Sequence, residues 1–419
     1  MIDRTRGLRA YVAVTAAYWA FMLSDGALRM LVLLHFHELG YSPVQLAWLF
    51  LLYEIAGIVT NLSAGWIAAR FGLVATLRAG LALQVLALLA LARLDPGWPA
   101  ALSVPFVMAV QGLSGVAKDL AKMSSKSAVK LLAPKGDGAL FRWVAWLTGS
   151  KNAVKGLGFL LGAALLALAG FRVSVLGMAA VLGAILVAVL VAMPPGLPGG
   201  RKGAKFTQVW SISSNVNWLS AARVLLFGAR DVWFVVGIPI YFHSVLSDGT
   251  PEGARRAFFL VGGFMAGWII LYGAVQAAAP AILRARARPE HELIAAARGW
   301  AWALASIPAC LALVAANAQG PAPWLTVTLI LGLLAFGGVF AINSSLHSWL
   351  ILAFSRAERV TMDVGFYYMA NAAGRLLGTL LSGLTYQLGG LALMLTVAAL
   401  MLAGSAIAAG RLRPEPASA

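Results

Sequence analysis

Long apolar stretches separated by short polar breaks run the length of the chain. Twelve of them lie at about residues 10–37, 43–69, 74–94, 99–122, 140–169, 172–193, 217–243, 257–283, 292–316, 322–350, 362–387 and 389–410. A membrane span needs roughly 20 apolar residues, so the longer stretches imply tilt or extension past the hydrocarbon. Gly and Pro mark several breaks, as in "DPGWP" from Asp95 and "QGPAP" from Gln319. The pattern predicts an all-α polytopic membrane protein with twelve transmembrane helices. The first run is too long for a signal-peptide core and has no small-residue cleavage site after it, so it reads as a first span.

The longest polar connection divides the stretches six and six. It gives an N-terminal six-helix bundle at 1–193, a cytoplasmic linker at 194–216 and a C-terminal six-helix bundle at 217–419. Within the linker, "KFTQVWSI" suits either a short helix on the membrane surface or plain connecting chain. The halves also match weakly. A shift of 206 lays Phe21 on Phe227, Asp25 on Asp231, Phe36 on Phe242 and His37 on His243. A shift of 220 lays Lys155 on Arg375, Gly158 on Gly378 and Gly170 on Gly390. Together these favour two parallel pseudo-repeats, and transporters built that way bind substrate near the midplane between the halves.

Composition sharpens the class. The chain has 419 residues, 61% hydrophobic and 11% charged, with mean hydropathy +0.85. A soluble domain averages about 25% charged residues. The net charge of +17 comes from Lys and Arg gathered in alternate loops, among them Arg70, Lys130, Arg201 and Arg286. The opposite loops hold only Arg93, Arg172, Arg255 and Arg256. The inside-positive bias therefore places both termini in the cytoplasm, with the chain in the inner cell membrane. Basic residues scattered between apolar runs do not suit nucleic acid. The single cysteine, Cys310, allows neither an internal disulfide nor a thiolate metal site. No metal or cofactor is expected, and the protein is expected to act as a monomer.

Charges within the apolar stretches point to function. The seventh stretch carries Arg230 and Asp231 side by side near its middle. A charge at the bilayer centre costs roughly 2.5 kcal/mol or more, so such a pair must meet partners or line a watery cavity. The cations Arg29, Lys151, Lys155, Arg230 and Arg375 outnumber the carboxylates Asp25, Glu54 and Asp231 at similar depth. Arg223, Asn343, His347 and Asp363 are further polar residues within the stretches. Mutual pairing could serve packing alone, as Asp25 with Arg29 at i,i+4 could do. An unpaired buried cation is costly, however, and an anionic substrate would supply the missing charge. Arginine matches phosphate, arsenate and carboxylate oxygens bidentately. Arg29, Lys151, Lys155, Arg230 and Arg375, with Asn152 and Asn371, are the candidate substrate ligands. Asp25, Glu54 and Asp231 are candidate charge partners or proton carriers, and both roles stay open.

Lys118, Lys122, Lys126 and Lys130 recur every fourth residue. That spacing makes one slowly turning helix face. It suits a solvated helix extension or a ramp that draws anions to the inner mouth, with Lys118, Lys122 and Lys126 nearest the membrane. Glycines at 149, 156, 158 and 162, and at 374, 378 and 383, suit close helix packing. No nucleotide-binding glycine loop and no nucleophile–base constellation appears, so no enzyme activity is expected.

The segment "GWIAARFG" resembles the G-x-x-x-D-R-x-G signature of the major facilitator superfamily. Gly65, Arg70 and Gly72 match, and Ala69 stands where the family has aspartate. Longer segments are similar to the ArsJ-type organoarsenical efflux permeases: "SDGALRMLVLLHFHELGYSP", "VAKDLAKMSSKSAVKLL", "RWVAWLTGSKNAVKGLGF", "LSAARVLLFGARDVWFVV" and "DVGFYYMANAAGRLLGTLLSG". This resemblance implies the major facilitator fold and export of 1-arseno-3-phosphoglycerate. It also implies glyceraldehyde-3-phosphate dehydrogenase as functional partner, making the ester from arsenate. The charge pattern suits such a substrate, since pentavalent arsenic bound to oxygen calls for Arg and Lys whereas trivalent arsenic calls for thiolates. An organophosphate/phosphate or other organic-anion exchanger is the alternative within transport. A non-transporting membrane receptor or scaffold is the alternative outside it.

Overall fold

In the computed structural model the described residues form helices joined by short connections, and no strand occurs among them. The structure describes residues 4–132, 139–193, 211–283, 290–318, 320–355 and 360–414. Most of the expected linker lies outside them, as do the side chains of Ala69 and Arg70 and of Lys126 and Lys130. The helices are α1 (Arg4–Glu38), α2 (Pro43–Leu49), α3 (Leu51–Phe71), α4 (Leu73–Leu91), α5 (Ala100–Leu132) and α6 (Ala139–Ala192). They continue with α7 (Ser214–Val232), a π-helical turn (Trp233–Gly237), α8 (Ile238–Leu246), α9 (Pro251–Ile282), α10 (Glu290–Asn317), α11 (Pro323–Phe354) and α12 (Val360–Ala409).

Among the described residues, ten helices are long and apolar enough to cross a membrane. This is fewer than the twelve expected stretches because two pairs run on without an intervening loop. α6 is broken only at Gly170 (φ 72°) and α12 only at Gly389 and Gly390 (φ 58° at the latter). Positive φ lies in the left-handed region that other residues avoid, so each break rests on a glycine. Apolar side chains such as Leu168, Val181, Val191, Leu388 and Leu400 point outward, as lipid-facing residues must. α5 continues to Leu132, well beyond the end expected near 122, so the lysine series stands on one unbroken helix.

The chain groups into two compact units. Unit 1 comprises Met1–Glu38, Leu52–Thr207 and Phe258–Ile269; unit 2 comprises Leu39–Leu51, Gln208–Ala257 and Ile270–Ala419. The grouping follows the two halves of the chain except for two short exchanges. The α2 segment joins unit 2 because α12 packs on it: a side chain at Gly383 would strike the Pro43 carbonyl, and Val44 N–H donates to Gln387. Part of α9 joins unit 1, with Gly262 set against Ala163 and Phe159.

Each unit has a tight helix crossing made by small residues that bears on its charges. In unit 1, α1 meets α6: any side chain at Gly158 or Gly162 would strike the backbone of Leu23 or Ala27. In unit 2, α7 meets α12: a side chain at Gly374 or Gly378 would strike the carbonyls of Val224 or Gly228. In lipid, helices associate through such packing rather than through the hydrophobic effect. These crossings bring the charged residues of α1 and α6, and of α7 and α12, within reach of one another.

Candidate functional site

Unit 1 gathers its charges around Asp25 and Tyr53. Tyr53, on α3, donates its hydroxyl to Asp25 Oδ1 at 2.6 Å. Lys155, brought across by the α1–α6 crossing, places Nζ 3.9 Å from Asp25 Oδ2. Arg29 lies one turn beyond Asp25 yet reaches to α3, where Nη2 is 3.3 Å from Glu54 Oε1. The i,i+4 pairing of Asp25 with Arg29 is thus replaced by contacts across helices, because both side chains find better-placed partners on α3 and α6. Lys118 Nζ sits 4.0 Å from the centroid of the Tyr53 ring, and Arg29 Cζ sits 5.5 Å from it. Tyr53 therefore links an aspartate and two cations. Sequence reasoning passed over it, although it directly precedes the intramembrane Glu54.

A second polar group lies further along α5. Asp119 is fully buried. It accepts from Lys122 at 2.6 Å and from Thr60 at 2.8 Å, and Lys122 also donates to Asn61 at 2.6 Å. Lys122 is thus held by α3 and α5 side chains, and Lys118 is buried against Tyr53. Only the backbone of Lys126 is among the described residues. On α6, Lys151 is half-buried and Asn152 buried, one turn before Lys155.

Unit 2 centres on Asp231. Arg230 Nη2 is 2.6 Å from Asp231 Oδ1, and Arg375 Nε donates to Oδ2 at 3.3 Å. One carboxylate thus bridges two arginines from α7 and α12. Immediately after it α7 widens into the π turn, where Val236 and Gly237 donate backbone N–H groups to Ser382 Oγ, each at 3.2 Å. π turns inside longer helices often mark functional positions.

Two turns before Arg230 stands Arg223, buried and held only by neutral groups among the described residues. Its Nε donates to Asn371 Oδ1 at 3.0 Å. Its Nη1 donates to Ser344 Oγ at 3.1 Å and to the Ser344 carbonyl at 3.2 Å. The guanidinium also lies over the rings of Phe227 and Tyr367. Asn371, a candidate substrate ligand, is the acceptor of that Arg223 Nε hydrogen bond. Arg223 was visible in the seventh stretch but not singled out, since nothing local distinguishes it from a residue near the membrane interface.

Five ion pairs among the described residues share one asymmetry. The carboxylate side chain is at most 2% exposed, while the cation is 13–18% exposed. The carboxylates are sealed against packed helices and the cations carry the accessible surface. Because a charge facing hydrocarbon is costly, that accessible surface must face water. Such an arrangement can receive an anion and has no open carboxylate to receive a cation. Among the described residues no three His, Cys, Asp or Glu side chains gather to hold a metal ion.

Residues 14–351 match the family model of the Major Facilitator Superfamily, most of the chain. The chain belongs to that superfamily. It is accordingly a multi-pass membrane transporter rather than an enzyme. Solved transporter structures agree in fold. A point mutant of the nucleoside transporter NupG aligns with TM-score 0.68 at 16% identity, covering 97% of this chain and 98% of that one. A POT family transporter in complex with 5-aminolevulinic acid aligns with TM-score 0.70 at 15% identity, covering 95% and 94%. No curated protein matches the chain significantly.

Proposed function

We propose that this facilitator exports an organoarsenical phosphate ester, 1-arseno-3-phosphoglycerate, and so confers arsenate resistance. The observation that carries an anionic substrate is the burial of the carboxylates behind cations that stay accessible in these five ion pairs of the described residues. Arg29, Lys155, Arg230 and Arg375 hold the anionic groups, with Lys151 and Asn152 assisting. Asp25, Glu54 and Asp231 orient the cations and are the sites open to proton coupling. Lys118, Lys122 and Lys126 raise the potential at the inner mouth. The arsenic-bearing ester is favoured over other organic anions by the resemblance of five long segments to the ArsJ-type permeases. Glyceraldehyde-3-phosphate dehydrogenase then supplies the substrate.

The proposed topology counts α6 and α12 as two crossings each, which brings the ten apolar helices to twelve. Both breaks are glycines 220 positions apart, Gly170 and Gly390, and the pairs Asp25–Lys155 and Asp231–Arg375 obey the offsets of 206 and 220. These regularities support two six-helix repeats at 1–193 and 217–419, joined by 194–216. Both termini are then cytoplasmic and the protein lies in the inner cell membrane as a monomer.

The test is arsenate tolerance and cellular arsenic in an arsenic-sensitive host making the dehydrogenase with or without this chain. Higher tolerance and lower arsenic, only when both proteins are made, are expected. Unchanged tolerance and arsenic content, with the protein shown in the membrane, would sink the arsenic reading. Vesicle exchange of phosphoglycerate against phosphate would then identify an organophosphate exchanger.

A further inference from the structure

We infer that Arg223 and Arg230 form a two-headed clamp, in which Arg223 receives the second anionic group of a substrate whose first group is held at Arg230. The inference rests on the anion-transport reading above and adds Arg223, which that reading leaves out, as the residue that selects for a second anionic group.

The two arginines are seven residues apart on α7, which returns the helix to nearly the same face after two turns. Phe227 stands between them. Arg223 Cζ is 3.9 Å from the centre of its ring and Arg230 Cζ is 4.7 Å from it. The guanidinium carbons can therefore be no further apart than those two distances laid end to end. That span suits a short organic molecule with an anionic group at each end, such as a phosphorylated hydroxy acid or its mixed anhydride.

The two heads are not equivalent. Arg230 already has Asp231 as its counter-charge and is partly accessible. Arg223 is buried and meets no carboxylate among the described residues, so its charge lacks a counter-ion there. Neutral amide and hydroxyl oxygens fix its orientation without neutralising it. Beside Ser344 on the same side of α11 lie Asn343 and His347, both fully buried, and neither the amide of Asn343 nor either ring nitrogen of His347 has a hydrogen-bond partner among the described residues. Buried polar groups are nearly always paired, with protein, water or ligand. Their place next to an uncompensated guanidinium suits an anion that accepts from several donors at once.

The experiment measures binding to the purified full-length protein by calorimetry, using two probes. 3-Phosphoglycerate has a phosphate and a carboxylate; glycerol 3-phosphate has the phosphate alone. Wild type is expected to prefer 3-phosphoglycerate by about tenfold or more, as one charge-assisted contact predicts. Arg223→Gln should bring the ratio to about one while glycerol 3-phosphate binding persists, and Arg230→Gln should weaken both probes. Asn371→Asp is a nearly isosteric second variant that gives Arg223 a resident carboxylate. It should erase the preference in the same way, and it decides the matter if Arg223→Gln does not fold. A wild-type ratio near one, retention of the preference by both variants, or no binding of either probe overturns the clamp. Neither probe contains arsenic. Failure of arsenate resistance in cells with the preference intact would therefore overturn the substrate reading and leave the clamp standing.

Discussion

The two units solve the same packing problem and balance their charges differently. In each, a small-residue crossing lets an aspartate on one long helix meet a cation on another: Asp25 with Lys155, and Asp231 with Arg375. Beyond that shared pair, unit 1 provides a separate carboxylate in each neighbourhood, Glu54 for Arg29 and Asp119 for Lys122. Unit 2 bridges Arg230 and Arg375 with Asp231 and leaves Arg223 to neutral partners. The contrast teaches that the buried guanidinium with only neutral partners among the described residues, Arg223, belongs to unit 2. Unit 1 reads as the better-compensated scaffold, with its cations turned toward water.

The largest expected effect that would break this comparison is at Asp231. Replacing it by Asn leaves two arginines without their shared carboxylate, and removing one partner of a buried pair costs about 3–5 kcal/mol. Asp231→Asn should therefore lower the melting temperature of the purified protein strongly. Asp25→Asn should lower it less, because the lysine is 3.9 Å away and the Tyr53 hydroxyl can still bond the amide. Equal losses in thermal melts would show that the units are compensated alike.

Next in size are the helix crossings. Gly378→Leu would push a side chain into the Gly228 carbonyl and toward Asp231 Cβ, 2.9 Å from the position of the new Cβ. It should reduce folded protein in the membrane and separate Arg375 from Asp231. Gly177→Leu, at a site with open space around it, should leave yield and melting unchanged. Comparable yields for the two variants, measured by size-exclusion chromatography, would contradict the role of the crossing.

A smaller effect is expected at Tyr53. Tyr53→Phe removes the 2.6 Å hydrogen bond to Asp25 and keeps the ring beneath Lys118. The loss of a hydrogen bond to a charged group is about 1.5–3 kcal/mol. Melting should fall modestly, and anion binding by calorimetry should change less than in Arg230→Gln. A loss of binding as large as in Arg230→Gln would show that unit 1 carries as much of the substrate load as unit 2.

Much of the helical plan was legible from hydropathy, since a bilayer imposes both length and apolarity on each segment. The break at Gly170 fell between two predicted stretches and that at Gly389 and Gly390 on the first residues of the last one, because glycine there is the residue able to turn the backbone. The offsets of 206 and 220 placed both aspartates and both of their cation partners in register, and the pairs Asp25–Lys155 and Asp231–Arg375 follow those offsets. What spacing within one helix could not show is partner choice across helices. Arg29 sits at i,i+4 from Asp25 but takes Glu54, and Asp25 takes Tyr53. Arg223 looked like one more cation near a helix start, since its surroundings come from α11 and α12, more than a hundred residues away. α5 runs to Leu132, past the end of its apolar stretch, because hydropathy marks where the membrane ends, not where a helix ends; the four-residue lysine spacing was the sign of that extension.

The central claim is that accessible arginines in front of sealed carboxylates make this facilitator a carrier of organic anions. Counterflow of labelled 3-phosphoglycerate in proteoliposomes tests it most directly, comparing wild type with Arg230→Glu. Wild type should accumulate label, and Arg230→Glu should carry at least about a hundredfold less while remaining folded, because charge reversal turns attraction of the anion into repulsion. Equal counterflow by the two proteins, or none by wild type, would contradict the claim.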